Sequence, residues 1–294
     1  MKPAPFNLHL PASKSEALEL LRQCGSARLI AGGQSLMPML NLRVVHPQDV
    51  IDLNGVAELA GIRVEGGDIV IGAMTRQREI EFSPLISEKL PLLCEAILQV
   101  GHRQTRNRGT IGGSLCHLDP SAEQPTVAIA MDAQLTLERA GRQRVVPMRE
   151  FALDLMSSCL APDEMLTSVR FAPWHPRCGH AFVEYGRRHG DFAIVSAAVL
   201  VELDRGGNVL RCSLTLGGVG PVPFRLAAAE ELLKGRPLNE AALQAACAEA
   251  ADSDAMTDPA YPAWYRQRLA ARLLDRALRI ALERARALAD EEAL

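Results

Sequence analysis

Two short segments place a glycine pair between an apolar residue and a hydroxyl: Ala31-Gly32-Gly33-Gln34-Ser35 and Thr110-Ile111-Gly112-Gly113-Ser114. Glycine reaches left-handed backbone conformations and puts no Cβ in the way of a ligand. Successive N–H groups in such a loop can converge on an anion, and the closing hydroxyl adds one more donor. One loop of this kind suits a phosphate without help from a lysine; two suit a pyrophosphate. Taken singly, each also reads as an ordinary tight turn, because Gly-Gly is common in loops.

Other chemistry-bearing residues are less pointed. Cys116-His117 holds a thiol and an imidazole, but adjacent residues rarely aim at one target. Asp119 and Glu123 read as an acid pair or as solvated, capping loop carboxylates. The arginines within 103–108 read equally as an anion site or as a solvated loop. No G-x-G-x-x-G follows a strand in a βαβ unit, and no G-x-x-x-x-G-K-[ST] is present. Gly217-Gly218-Val219-Gly220 does follow a strand, but Pro221 and Pro223 forbid the helix that a dinucleotide fold starts there.

The elements that must position these loops are legible in outline. The first 55 or so residues read as strand, helix, strand, loop, strand. Ser13 with Glu16 three residues later has the spacing of a capping box, and the helix it starts stops near Gly25. Arg28-Leu29-Ile30 is a short strand running into the first glycine loop, and Val50-Ile51-Asp52-Leu53 is another. Gly66-Gly67 joins two alternating runs as a two-residue hairpin. Residues 75–82 and 84–100 read as helical, 101–109 as a basic loop, 121–131 as a helix and 134–146 as a hairpin. Pro173-Trp174-His175-Pro176 reads as a linker. Beyond it come two apolar strands over 194–204 and 209–216 and three helices over 226–234, 239–251 and 263–290. The last has apolar positions at a period of 3.6, with Arg266, Arg268, Arg272, Arg276 and Arg279 on its other sides.

Bulk composition excludes several classes. The chain has 294 residues, 48% hydrophobic and 23% charged, enough for two domains with a sizeable core. A net charge of -3 and an aromatic share of 4% leave no basic stripe or stacking platform for nucleic acid. Seven cysteines at wide gaps contain no C-x-x-C, so no zinc or iron–sulfur signature shows. They read as reduced residues of a cytoplasmic protein. The first residues lack the apolar core of a signal peptide, and no apolar run reaches a membrane span.

Read together, the motifs resemble a known family. Ala31 to Arg43 (Ala-Gly-Gly-Gln-Ser-Leu-Met-Pro-Met-Leu-Asn-Leu-Arg) is similar to the first flavin-binding motif of the medium subunit of the carbon monoxide dehydrogenase and xanthine dehydrogenase family of molybdenum hydroxylases. Arg108 to Leu115, with Asp119-Pro120 and Glu123, resembles the second. Arg187 to Ser196 resembles the segment just inside the family's C-terminal domain. Tyr265-Arg266, Leu269 and Leu273-Leu274 resemble its terminal helix. The matches run in the family's order from about residue 5 to about residue 285.

The resemblance implies an α+β fold. Two FAD-binding subdomains of the vanillyl-alcohol-oxidase type span 1–55 and 56–172, and a C-terminal α+β domain with a small antiparallel sheet and helices spans 177–288. It implies one non-covalent FAD. Its pyrophosphate would be wrapped by Leu29, Ile30, Ala31, Gly32, Gly33, Gln34, Ser35 and Leu36 and by Thr110, Ile111, Gly112, Gly113 and Ser114. Glu123 would lie on the ribose side and Leu160 beside the adenine or the ring, with His117, Asp119 and Tyr185 as further contacts. Relatives often carry a lysine near Val183-Glu184; none stands there in this chain.

The implied function is electron transfer. A large molybdopterin subunit oxidises substrate, a small subunit with two [2Fe–2S] clusters passes the electrons on, and this FAD hands them to an external acceptor. The implied assembly is a dimer of heterotrimers. The implied site has no catalytic acid or base and no metal ligand in this chain; the cofactor carries the chemistry. Two rival readings predict different behaviour: a self-sufficient flavin oxidase of the same superfold, and a non-catalytic assembly protein that has lost FAD.

Overall fold

A computed structural model describes residues 1–291, with side chains through Leu288. The first sheet is three-stranded and parallel, in the order Asn7–His9, Asp49–Asp52, Arg28–Ile30. The crossover helix Lys14–Cys24 starts as its sequence predicts. The Ser13 hydroxyl accepts from Glu16 N, and the Glu16 carboxylate reaches back to Ala12 N. Gly25, at φ +66°, stops it. Ala17, Leu18 and Leu21 bury the helix against Ile51 of the sheet and Leu53 in the turn that follows it. One element departs from the expected pattern. Residues Leu36–Asn41 form a helix rather than a loop, with Pro38 in the first turn, where its missing N–H costs nothing.

The second sheet has five antiparallel strands in the order Ile62–Glu65, Asp68–Gly72, Met165–Phe171, Gln134–Arg139, Arg142–Pro147. Its centre is Met165–Phe171, a strand the sequence reading did not identify. Helices Gln77–Phe82, Pro84–Lys89, Pro91–Gln99, Ile111–His117 and Glu123–Ala130 contribute to the core it shares with Ile80, Leu93, Ile97, Leu115 and Val127. The basic stretch after Gly101 is also a helix, Arg103–Arg108. Arg106 is buried there: its Nε donates to Glu81 Oε2 at 2.9 Å and its Nη1 to the Val100 carbonyl at 3.0 Å. This arginine is spent on structure and offers nothing to an anion.

The third sheet runs Gly179–Tyr185, Val195–Leu203, Val209–Gly217, Phe224–Arg225, all antiparallel. Its outer face (Ala181, Val199, Leu214) is covered by the long helix Ala263–Glu291 and by helices Ala227–Leu233 and Glu240–Ala251. Its inner face packs on Pro91–Gln99 and Glu123–Ala130, and Phe182, Ala198 and Leu200 join the core of the second sheet. The segment around Trp174 is therefore no loose linker. Trp174 is buried in that shared core, and the Arg211 guanidinium stacks 3.7 Å from its ring centre. Of the helix arginines, Arg268, Arg272, Arg276 and Arg279 face solvent as expected, but Arg266 is buried.

Candidate functional site

The first glycine loop leaves the C-terminal end of the strand Arg28–Ile30. Gly33 takes φ +72°, a conformation that costs other L-residues roughly 1–2 kcal/mol. Among the described residues, the amides of Gly32, Gly33, Gln34 and Ser35 donate to nothing else in the chain. The Gln34 side chain donates to the Gly32 carbonyl at 3.1 Å and holds the loop's shape. Leu29 packs into the first core beneath it, and Ile30 lies under Gly33. Four neighbouring amides of this loop are thus left without a partner in the chain.

The second segment is different from the expected loop. Thr110 caps a helix, Ile111–His117, and Gly112 and Gly113 are helical. Every amide of its first turn is already bonded: Ile111 to the Thr75 carbonyl, Gly112 to Ala73, Gly113 to the Thr110 hydroxyl and Ser114 to the Thr110 carbonyl. No first-turn amide is left for a ligand; of the two hydroxyls here, that of Ser114 is half-buried and that of Thr110, 2% exposed, carries the cap bond. Gly112 serves packing, since a Cβ there would lie 2.6 Å from Ala73 Cβ and 2.7 Å from its carbonyl oxygen.

The fold presses the two segments together. A Cβ on Gly32 would collide with the Arg108 carbonyl and lie 2.8 Å from Gly109 Cα, and one on Gly113 would lie 3.7 Å from Ala31 Cβ. Two residues missed in the sequence lace the junction. Arg76 donates to the Arg108 carbonyl and, at 2.5 Å, to Asn54 Oδ1; Asn54 in turn donates to the Ala31 carbonyl at 2.9 Å. No motif announced them, because each makes its contacts with segments remote in sequence.

Downstream of the capped helix, the chain enters a buried acidic region. Glu123 is 5% exposed, and burial, followed by the charges of Glu184 and Asp119, pushes its carboxyl up to about 8. Burial pushes Glu184 up to about 7, and its Oε2 has no partner. Glu184 stands where relatives were expected to carry lysine. It lies opposite Ser196, whose buried hydroxyl is also unpartnered, and both Gln124 amide atoms are in the same condition. Asp119 accepts from Ser121 N and shapes the turn, and burial lowers the His117 imidazole. The neighbouring Cys116 thiol is pushed up to about 12 by burial, which removes it as a nucleophile at neutral pH.

A cavity of about 420 Å³ opens beside Ser121, between Arg187, Asp191, Phe192, Tyr261 and Arg266. That falls in the roughly 300–1,000 Å³ range of small-molecule sites. Arg266 is held rigidly: Nη1 donates to the Ile194 carbonyl at 2.6 Å and to Gly218, and Nη2 pairs with Asp258. Tyr185, 47% exposed, ends its strand and accepts from Ile194 N through its carbonyl at 2.7 Å. Leu160 packs, partly buried, on the core of the second sheet.

A loop of unpartnered amides pressed against a hydroxyl-bearing helix start, with a cavity and orphaned buried polar atoms elsewhere in the fold, marks a small-molecule-binding protein. Residues 4–174 match the family described as FAD binding domain in molybdopterin dehydrogenase, and residues 180–281 match the CO dehydrogenase flavoprotein C-terminal domain. The chain belongs to this family of FAD-binding medium subunits. It is 39% identical to the 6-hydroxypseudooxynicotine dehydrogenase complex subunit alpha of Paenarthrobacter nicotinovorans, over 97% of each chain. It is 37% identical to the carbon monoxide dehydrogenase medium chain of Hydrogenophaga pseudoflava, over 97% of this chain and 99% of that one. A solved carbon monoxide dehydrogenase from the latter organism superposes with a TM-score of 0.94, covering 97% of this chain and 99% of its counterpart at 38% identity. The chain is thus an oxidoreductase subunit with FAD as its cofactor and the expected α+β fold. No helix among the described residues is long and apolar enough to cross a membrane.

Proposed function

We propose that this chain is the flavin relay of a three-subunit molybdenum hydroxylase, receiving electrons from the [2Fe–2S] clusters of a small subunit served by a large molybdopterin subunit. Bound FAD supplies the exchange between single-electron donors and an external acceptor. The observation that carries this reading is the contact between the two glycine segments, in a chain matching curated medium subunits over nearly their whole length.

The amides of Gly32 to Ser35 and the hydroxyls of Ser35, Thr110 and Ser114 hold the pyrophosphate. Ala31, Leu36, Ile111, Gly112 and Gly113 shape that cradle, and Arg76 keeps its halves together. Glu123, held neutral by burial, donates a hydrogen bond to a ribose or ribityl hydroxyl. Tyr185, Phe192 and the cavity walls flank the ring, His117 and Asp119 close its near side, and Leu160 packs beside the adenine. The division into 1–55, 56–172 and 177–288, the dimer of heterotrimers and a cytoplasmic location belong to the same proposal; seven free cysteines agree with the last.

Co-expression with its neighbouring subunits and native size-exclusion chromatography test the reading. Iron, molybdenum and flavin are expected in one fraction with this chain. Elution alone, fully flavinylated and turning over substrate without iron or molybdenum, would establish the self-sufficient oxidase instead. A colourless chain would favour the assembly protein.

A further inference from the structure

Away from both glycine segments, three side chains from three separate elements converge. His9 ends the strand Asn7–His9, Cys24 ends the helix Lys14–Cys24, and Asp49 opens the strand Asp49–Asp52. His9 Nε2 lies 2.8 Å from Asp49 Oδ1 and 3.9 Å from Cys24 Sγ. One ligand atom from each lies within 4.8 Å of the other two. We propose that His9, Cys24 and Asp49 form a site for one zinc-class divalent cation, with a fourth position open to water.

The donor set selects the metal class. One imidazole nitrogen, one thiolate and one carboxylate suit borderline zinc, whereas calcium and magnesium take oxygen alone. A tetrahedral centre with zinc–ligand lengths of about 2.0–2.3 Å separates its donors by roughly 3.3–3.6 Å. The observed 2.8 and 3.9 Å bracket those separations, so small side-chain rotations complete the geometry. Asn7 Nδ2 donates to Asp49 Oδ1 at 3.2 Å and steadies the carboxylate, as outer partners of metal ligands do. The side chains of His9 and Asp49 are 29% and 20% exposed, which leaves an entry path and room for the water. Gly25 breaks the helix directly after Cys24, so the thiol is presented from a final turn that is fixed in place.

A His9–Asp49 hydrogen bond on its own would not account for the thiol beside it. Cation binding replaces the His9–Asp49 hydrogen bond with three metal bonds: the Cys24 thiol proton leaves to solvent, and His9 binds as the neutral imidazole through Nε2 with its remaining proton on Nδ1. The ion would staple the helix end to two of the three strands in the sheet whose third strand feeds the phosphate nest.

Zinc titration of the chelator-treated, flavin-loaded chain, followed by calorimetry and metal analysis, tests the site. One zinc per wild-type chain is expected. Cys24→Ala and His9→Ala should bind at least roughly tenfold more weakly while retaining their flavin. Cobalt(II) should give a thiolate-to-metal charge-transfer absorption in the wild type that vanishes in Cys24→Ala. Should His9→Ala fail to fold, Asp49→Asn takes its place beside Cys24→Ala. Equal zinc affinity in wild type and Cys24→Ala, or no zinc retained by the wild type, overturns the proposal.

Discussion

Gly33 sits at φ +72° among amides that bond to nothing else in the chain, whereas Gly112 lies in a helix whose first-turn amides are all taken. Both belong to a glycine pair followed by a hydroxyl. The first pair is needed for its backbone torsion and leaves donors free. The second is needed for its missing side chain, which lets the helix lie against Ala73. A repeated motif thus divides the labour at one junction: one half provides N–H groups, and the other provides hydroxyls and a rigid wall. Identical glycine substitutions should therefore fail in different ways.

The largest effect should come from Gly112→Val. Its Cβ would meet the Ala73 backbone within the core, so the apoprotein should lose about 3 kcal/mol or more and fold poorly. Thermal melting of flavin-free protein reads this directly, and a variant that melts like wild type while lacking flavin would erase the distinction between the segments. The next effect is pH dependence on the helix side alone. Glu123 and Glu184 have folded-state values of about 8 and 7, above the ordinary 4.5. The folded state holds protons that the unfolded state releases, so this stability is full below about pH 4.5 and is lost as pH rises through 7 and 8. Apoprotein melting temperature should fall across that window, and Glu123→Gln should flatten the fall. An unchanged slope in that variant would mean that Glu123 is ionised in the folded chain.

Gly33→Ala comes third. Its Cβ would press on the movable Met37 side chain at 3.2 Å and make ordinary contact with Ile30 at 3.5 Å, so the cost is chiefly the torsion, about 1–2 kcal/mol. Flavin affinity, measured by fluorescence on release, should drop roughly tenfold with the fold intact. The smallest effect is Thr110→Val, which removes the acceptor for Gly113 N and should cost about 1 kcal/mol of helix stability. A larger loss of flavin than of stability would assign the hydroxyl chiefly to the ligand.

Much of this arrangement was legible in advance, for local reasons. Ser13, Glu16 and Gly25 mark a helix by groups that bond within a few residues. Gly66 and Gly67, at φ +61° and +94°, form the expected hairpin turn. The strands Met165–Phe171 and Gly179–Tyr185 were not legible, since both are buried along most of their length, which blurs the alternation that marks a half-buried strand. Arg106 and Arg266 read as surface charges because their partners, Glu81 and the Ile194 carbonyl, lie 25 and 72 residues away. Likewise, residues 9, 24 and 49 fit no metal-ligand spacing, although the parallel crossover brings them together. The glycine pairs were legible as a ligand-binding signal. The conformation of the second was not, because Thr110 caps a helix with the same residues that would close a turn.

The helix Ala263–Glu291 sets an order of events during synthesis. It supplies much of the apolar surface that covers the third sheet, and its backbone lies so close to Gly179 that a Cβ there would collide with the Ala281 carbonyl. It is also the last of the described elements to be translated. While the ribosome still holds that segment, strands Gly179–Tyr185 and Val195–Leu203 have no cover for one face, and Glu95 lacks Arg284. The two glycine segments can meet on the nascent chain, but the sheet that brings Glu184 over Glu123 cannot settle until that helix has emerged. A nonsense codon early in that helix should therefore leave an uncapped sheet prone to aggregation rather than a shortened, well-folded chain.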